Sequence, residues 1–525
     1  MVTAGEVNLW KKKSIVSVRE SIMKSRFSKT KNGQRSHIVR ILFWILGIVE
    51  NVFLVAIVLL LVWAFASRKM PALEIWHTTP LTNEFTSSDA TSRSTLQDYL
   101  DQEERLFDEL RLKIYDQLAP TTETAYSRYR ADGPQDPSHL PRNWNRTFEL
   151  VPETIRGGAL LFHGLSDSPY SLRRLGEIFH KKGFYVLGLR LPGHGTIPGA
   201  LTEVNWEDWV AASRIAGRHV RERIGPDNPF VIAGYSNGGA LTVKYSLDAL
   251  SDPDLPPADR LLLFSPEIGI TPFSAIANAH KLYSFIPYFE QSKWLSIQPE
   301  YDPFKYNSFP KNAGQQGHEI TSALQDQLRK TRTAGKLAGF PPVVTFLSWV
   351  DATVETSMTI DHFYGQLENP GNELVIFDVN RSDQATAFYP AGDAATLDAL
   401  EKRADLPYRL TIIANATPDS STVAQRSKAP RSPDVDILPL GMVWPSNIYS
   451  LAHVAIPFPP DDPVYGVDED ANDDTYKGVP IGRMSPRGET GYLTVPLSQF
   501  MRLRHNPFFA YVEKRVIAEI DDVLR

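Results

Sequence analysis

From residue 147 onward, short apolar runs recur with amphipathic segments between them, and few architectures can bury such a pattern. The runs include GGALLFHG (157–164), FYVLGLRLPGHG (184–195), PFVIAGYS (229–236), RLLLFSP (260–266), PVVTFLSWVD (342–351) and ELVIFDVN (373–380). Helical periodicity fills most of the gaps, as at 170–182, 205–223 and 238–250. Strands that are apolar on both faces must be covered on both. The pattern therefore predicts an α/β fold, a mostly parallel sheet with helices on each side. In such a sheet ligands gather at the carboxyl ends of the strands.

One of those ends carries Ser236, flanked by Gly234 and Gly238 where a strand gives way to a small-residue helix. Gly-x-Ser-x-Gly is either a tight turn with an incidental hydroxyl or a nucleophile elbow. A serine nucleophile needs a base, the base needs an orienting acid, and the tetrahedral intermediate needs two preset N–H donors. In LLFHGLSDSPYSLRRLGEIF (160–179) a His-Gly pair follows a strand, which makes Leu165 and Asn237 the candidate oxyanion donors. His163 precedes that turn and is expected to fix the loop through hydrogen bonds. Asp351, in SWVDATV (348–354), is the candidate acid, and it would equally serve as a helix N-cap. Asp378 and Glu267 compete for its role. The chain order Ser, Asp, His leaves His362, His453 and His505 as bases. His453 is selected because it lies in a loop-like, Pro-rich segment, NIYSLAHVAIPFPPDDPVYG (447–466). His362 falls on the helix after Asp351, and His505 has basic neighbours near the end of the chain.

The segments FHGLSDSP (162–169), LRLPGHGT (189–196), GYSNGG (234–239), SWVDATV (348–354) and SLAHV (450–454) together carry a family likeness. The sequence resembles the α/β-hydrolase superfamily, in its serine aminopeptidase and monoacylglycerol lipase-like branch, which includes lysophospholipases and carboxylesterases. The resemblance covers roughly 147–380 and the His453 loop. It implies Ser236 as nucleophile, Asp351 as acid, His453 as base, Leu165 and Asn237 as oxyanion donors, a structural His194, and no cofactor or metal. The chain departs from the family in spacing, because some seventy residues with a strand of their own (409–415) precede the histidine loop. The family usually inserts a cap where residues 266–341 stand. Residues 266–310 hold ten aromatics, twice the chain's 11% average. Such a lid suits an acyl chain, or the rings build the cap's own core.

Upstream lies a different kind of sequence. Residues 1–40 hold ten Lys or Arg against two acids, within a chain of net charge −6. Residues 41–66, ILFWILGIVENVFLVAIVLLLVWAFA, would rise roughly 39 Å as a helix, enough for a ~30 Å hydrocarbon core. The expectation is a transmembrane anchor with its amino terminus cytoplasmic and the large domain exported. AFA before Ser67 also fits a cleavage site, and Glu50–Asn51 is a polar pair for the helix to accommodate. The Ser/Thr-rich stretch 77–95 reads as a linker, 95–118 as an amphipathic helix that packs on the domain, and 120–145 as a connector. The expected organisation is thus a basic arm (1–40), a membrane helix (41–66), linker and helix (67–146), and a hydrolase domain (147–525) with an extra segment at 381–446. With no cysteine, disulfides and thiol chemistry are excluded. The acidic run 461–474 reads as a solvated loop, since it lacks EF-hand spacing.

The expected function is hydrolysis of lipid-like carboxylic esters through an acyl-enzyme, with an ester substrate and a membrane as partners and no nucleic acid. Two alternatives stay open. One is an aminopeptidase in which Glu267 or Glu290 holds a free amino group. The other is a catalytically silent hydrolase fold used for interaction.

Overall fold

The computed structural model describes residues 33–67, 71–119, 121, 124–269, 287–390, 392–468, 476–489 and 492–525. The chain divides into two compact units, Met1–Ala66 and Ser67–Arg525.

The first unit is built on helix α1 (Gly33–Ser67). Its side chains are described from 43 to 58 and at 61 and 62, and they are largely exposed, with Trp44 76% and Phe53 66% accessible. Asn51 turns its amide back onto the Gly47 carbonyl at 2.7 Å, which satisfies a polar group within an apolar stretch. Among the described residues no helix is long and apolar enough to cross a membrane.

The second unit is organised by one ten-stranded sheet. Its strands are β1 (Phe148–Leu150), β2 (Gly157–Phe162), β3 (Phe184–Leu189), β4 (Phe230–Tyr235), β5 (Arg260–Phe264), β6 (Val343–Ser348), β7 (Glu373–Phe377), β8 (Arg409–Asn415), β9 (Thr422–Lys428) and β10 (Asp436–Val443). The order is β1-β3-β2-β4-β5-β6-β7-β8-β9-β10. Strands β2 to β8 run parallel, and β1, β9 and β10 join antiparallel to their neighbours. Every residue of β2, β3, β4, β6 and β7 is buried, as continuous apolar runs require when both faces are covered.

Two cores result. On one face α4 (Trp206–Ile224), α5 (Asn237–Ala249) and α6 (Lys311–Thr333) bury Trp209, Leu241 and Leu324. On the other, α3 (Arg173–Lys181) and the carboxyl-terminal α8 (Phe509–Val523) bury Phe179, Val512 and Val516. The segment 381–446 extends the sheet: β8 pairs with β7 and then folds back as a β9–β10 meander. The excursion ends where it began, because Asn380 donates to Tyr449 O at 2.7 Å and, through Nδ2, to Ile448 O at 3.1 Å.

The residues before the sheet are ordered against it. Helix α2 (Leu96–Lys113) starts with a capping box between Thr95 and Asp98 and buries Tyr99, Leu106 and Leu110. The stretch 77–95, which reads as a linker, is held by polar anchors instead of an apolar stripe. Glu109 accepts from the N–H groups of Thr82 and Asn83, Asp208 accepts from Ser87 N–H at 2.7 Å, and Glu84 pairs with Arg190 at 3.0 Å. Residues 120–145 likewise contribute buried Arg128, Tyr129 and Asn145. Of the aromatics in 266–310, Trp294, Tyr301, Phe304 and Tyr306 are buried, while Phe273, Tyr283 and Phe285 lie outside the described residues. Asp462, read as part of a solvated loop, is buried and accepts from Tyr170 Oη at 2.9 Å; 469–474 of that acidic run lie outside the described residues.

Candidate active site

Strand β4 ends at Tyr235 and α5 begins at Asn237, so Ser236 alone makes the turn, with φ 55° and ψ −121°. A non-glycine residue at positive φ costs on the order of 1–3 kcal/mol, and the surroundings must hold it there. They do so by proximity. A Cβ on Gly234 would stand 2.2 Å from Gly238 O, and one on Gly238 would stand 2.0 Å from Phe162 O. Ser236 N–H donates to Phe264 O at 2.9 Å, and its carbonyl accepts from Gly239 at 2.8 Å and Glu267 at 3.0 Å. The serine, 7% exposed, thus sits at the carboxyl end of the sheet between β2 and β5.

Asp351 follows β6 by three residues. Its Oδ1 accepts from the N–H groups of Thr353 at 2.8 Å and Val354 at 3.1 Å, a small helix-cap-like turn. Its Oδ2 lies 2.8 Å from His453 Nδ1, and the two side chains are 0% and 3% exposed. Burial pushes the Asp351 carboxyl up, but the imidazole and the two N–H groups outweigh it and hold the pKa below the usual range. An ionised carboxylate only accepts, so Nδ1 carries a hydrogen, and in the neutral imidazole the lone pair is then on Nε2. The imidazole packs 5.3 Å from the Tyr235 ring, next in the chain to Ser236. Residues separated by 102 positions therefore meet beside the elbow.

The turn after β2 completes the arrangement. A Cβ on Gly164 would fall 3.1 Å from Ser236 Cβ, so this backbone passes directly over the serine. Ser166 takes φ 65°, and Asp167 N–H closes the turn onto Gly164 O at 3.2 Å. The N–H groups of Leu165 and Asn237 make no hydrogen bond among the described residues. His163 accepts Leu191 N–H on Nε2 at 3.0 Å and donates from Nδ1 to Gly164 O at 2.9 Å. Burial keeps it neutral, well below its ordinary pKa. It braces the loop. His194 packs against it with ring centroids 4.9 Å apart and donates to Pro192 O at 3.0 Å.

The competing residues sit elsewhere. His362 ends α7 (Thr356–His362) and lines a separate cavity of about 600 Å³ with Gly269, His318 and Met358. His505 is buried, and burial lowers its pKa. Asp378 is paired with Arg381 at 2.7 Å. Glu267, next to the elbow, has its carboxyl pushed up to about 7 by burial. Asp167 escaped the sequence reading although it lies within FHGLSDSP. It is buried, and its carboxylate is 3.1 Å from Lys305 Nζ.

A mostly parallel sheet covered on both faces, with a serine at the β4–α5 elbow and a buried His–Asp pair beside it, is the arrangement of an α/β-hydrolase fold. Residues 153–363 match the family model described as serine aminopeptidase S33 (Hydrolase_4). An 86-residue stretch is 35% identical to a thermostable monoacylglycerol lipase from a Bacillus sp.. That stretch is 16% of this chain and 33% of the lipase, so only a third of the relative's length is spanned. Among solved structures, the metagenome-derived lipolytic enzymes LipS and LipT give a match at 22% identity, covering 50% of this chain and 99% of that one, with a TM-score of 0.36. The monoacylglycerol lipase of Paleococcus ferrophilus matches at 17% identity over 44% of this chain and 88% of its own, with a TM-score of 0.33.

Proposed function

We propose that the protein is a serine hydrolase that cleaves carboxylic esters with a lipid-like acyl group. The observation that carries this reading is the buried 2.8 Å contact from His453 Nδ1 to Asp351 Oδ2 beside an elbow serine at positive φ. In the proposed reaction Ser236 Oγ attacks the ester carbonyl while His453 Nε2 takes the hydroxyl proton. Leu165 and Asn237 N–H donate to the oxyanion, which a water-poor site makes worth more than in bulk. His453 then returns the proton to the leaving alcohol, and water repeats the sequence on the acyl-enzyme. Asp351, ionised throughout, holds the imidazole in one tautomer.

The same proposal places the hydrolase unit at a membrane, anchored by residues 41–66 with the amino terminus cytoplasmic. Its support is the apolar run itself and the charge asymmetry, ten basic residues before it and only Arg68 and Lys69 directly after. Carbonate extraction and protease access in sealed vesicles test it. Release by carbonate, or digestion from the cytoplasmic side only, would be evidence against it.

Fluorophosphonate labelling of the full chain, with Ser236→Ala, His453→Ala and His362→Ala, tests the catalytic assignment. Loss of a working triad member should lower kcat by roughly 10⁴- to 10⁶-fold on p-nitrophenyl esters, with His362→Ala close to the parent. An unlabelled Ser236 in an ester-silent parent chain would leave the interaction-module reading.

One observation favours a second reading. Glu267, whose backbone N–H donates to Ser236 O, carries a carboxyl on the residue bonded to the elbow, the counter-charge an aminopeptidase would need for a free amino group. Turnover of aminoacyl-amides in preference to acyl esters would select the aminopeptidase.

A further inference from the structure

The loop 300–308 approaches the oxyanion turn from outside, and no sequence motif points to it. Tyr306 N–H donates to Ser166 O at 2.8 Å, and Lys305 Nζ lies 3.1 and 3.3 Å from the two oxygens of Asp167. The loop is wired internally. Glu300 accepts from Asn307 and Ser308 N–H, and Asn307 Oδ1 accepts from Tyr301 and Asp302 N–H. Asp302 Oδ1 accepts from Phe304 and Lys305 N–H. From the opposite side Arg128 N–H donates to Glu300 O at 2.8 Å, and Asn145 Nδ2 to Pro303 O at 3.0 Å. The Lys305 backbone is therefore fixed and its ammonium aimed.

Asp167 stands in an awkward place. Its Oδ2 is 2.8 Å from where a Gly164 Cβ would sit, and that point is 3.1 Å from Ser236 Cβ. The carboxylate thus lies within about 6 Å of the nucleophile's Cβ. Little water separates them, since Asp167 is 5% and Ser236 7% exposed. Burial pushes the Asp167 carboxyl up, and the Lys305 ammonium opposes that rise. Whatever negative charge the carboxyl carries without the ammonium would oppose every oxyanion formed at the serine, and poor screening would strengthen the opposition.

We propose that Lys305 is a positioning residue for the hydrolytic reaction: it acts through Asp167, cancelling its charge at the oxyanion turn, while Tyr306 N–H fixes the same turn through Ser166. The pair is an electrostatic part of the oxyanion hole in which Asp167 comes from the FHGLSDSP motif and Lys305 from the loop 300–308, outside every motif that carries the family likeness. It rests on the reading of Ser236 as nucleophile.

The test uses the full chain and a short p-nitrophenyl ester, with kcat and KM separated for Lys305→Met, Lys305→Arg, Asp167→Asn and the double variant. Lys305→Met should lose roughly 10- to 100-fold in kcat, less than removal of an oxyanion donor, with KM within a few-fold. Lys305→Arg should recover most of that loss. Asp167→Asn in the Lys305→Met background should recover at least tenfold, because it removes the unbalanced charge. The double variant also guards against misfolding, since it buries no lone carboxylate. Unchanged kcat in Lys305→Met, or a double variant no better than the single, would overturn the proposal while an inactive Ser236→Ala leaves the nucleophile intact. An active Ser236→Ala would overturn both.

Discussion

Gly238→Ala is the smallest change that addresses the elbow, and its cost can be worked from the structure. The new Cβ would lie 2.0 Å from Phe162 O, 2.5 Å from Phe162 C and 2.6 Å from His163 O. Real Cβ contacts essentially never fall below 3.0 Å, so the end of β2 must retreat by about 1 Å. All three obstructing atoms are backbone, so no side-chain rotation relieves them. The helix is pinned as well: Gly239 N–H is bonded to Ser236 O at 2.8 Å, and Ser236 N–H to β5. Overpacking of this kind costs about 1–3 kcal/mol. The larger effect is geometric, because the displaced residues 162–163 lead directly into the turn that carries Leu165. A misplacement near 1 Å at reacting groups costs on the order of 10²-fold in rate. The expected variant is folded, destabilised by about 1–3 kcal/mol in urea unfolding, and about 100-fold lower in kcat on a short ester. Full activity with undiminished stability would refute the argument that this glycine is dictated by the approach of β2.

Three further outcomes follow from particular contacts. Asp351→Asn should lower kcat by roughly 10⁴-fold, because an amide favours the wrong imidazole tautomer; steady-state ester turnover measures it, and a loss under tenfold would deny Asp351 its orienting role. Glu300 is pushed up to about 7 by burial, which its hydrogen bonds only partly offset, so its neutral form is favoured in the folded chain. Its contribution is complete below the unfolded value near 4.5 and is lost as pH rises towards 7. Glu300→Gln should therefore gain on the parent by up to about 3 kcal/mol across that window, and a pH-independent difference in melting would contradict it. Glu103→Ala leaves the buried Arg190 guanidinium without one of its two carboxylates, and urea unfolding should show a loss of about 3–5 kcal/mol.

The parts of the fold carried by apolar repetition could be read from the sequence, since burial on two faces leaves a strand little freedom in composition. Ser236 and the turn at Gly164 were legible for a related reason, as close backbone approach demands glycine at fixed spacing. His453 was harder. Its partner lies across a seventy-residue detour, and what recommended it was a loop-like setting; the 2.8 Å contact to Asp351 is a tertiary fact. The stretches 77–95 and 120–145 look like linkers because polar anchoring has no period. A carboxylate such as Glu109 that binds two backbone N–H groups leaves no trace in hydropathy. The Lys305–Asp167 contact was invisible for the same reason. A lone lysine and an aspartate 138 residues apart acquire meaning only when the loop is folded.

The return of the chain from Tyr449 to Asn380 makes 381–448 a closed ring in contact terms, spliced into the path between Asp351 and His453. Closing a loop costs entropy that grows only with the logarithm of its length, so once the junction is bonded the ring's size matters little to the histidine. What His453 needs to meet Asp351 is the junction, a pair of hydrogen bonds just past the end of β7. The contents of the ring are free to lengthen, be cut at the β9–β10 turn, or accept a guest domain there. The Asp351–His453 contact would then behave as insulated from the edge of its own sheet, and that edge is where this protein can change most cheaply.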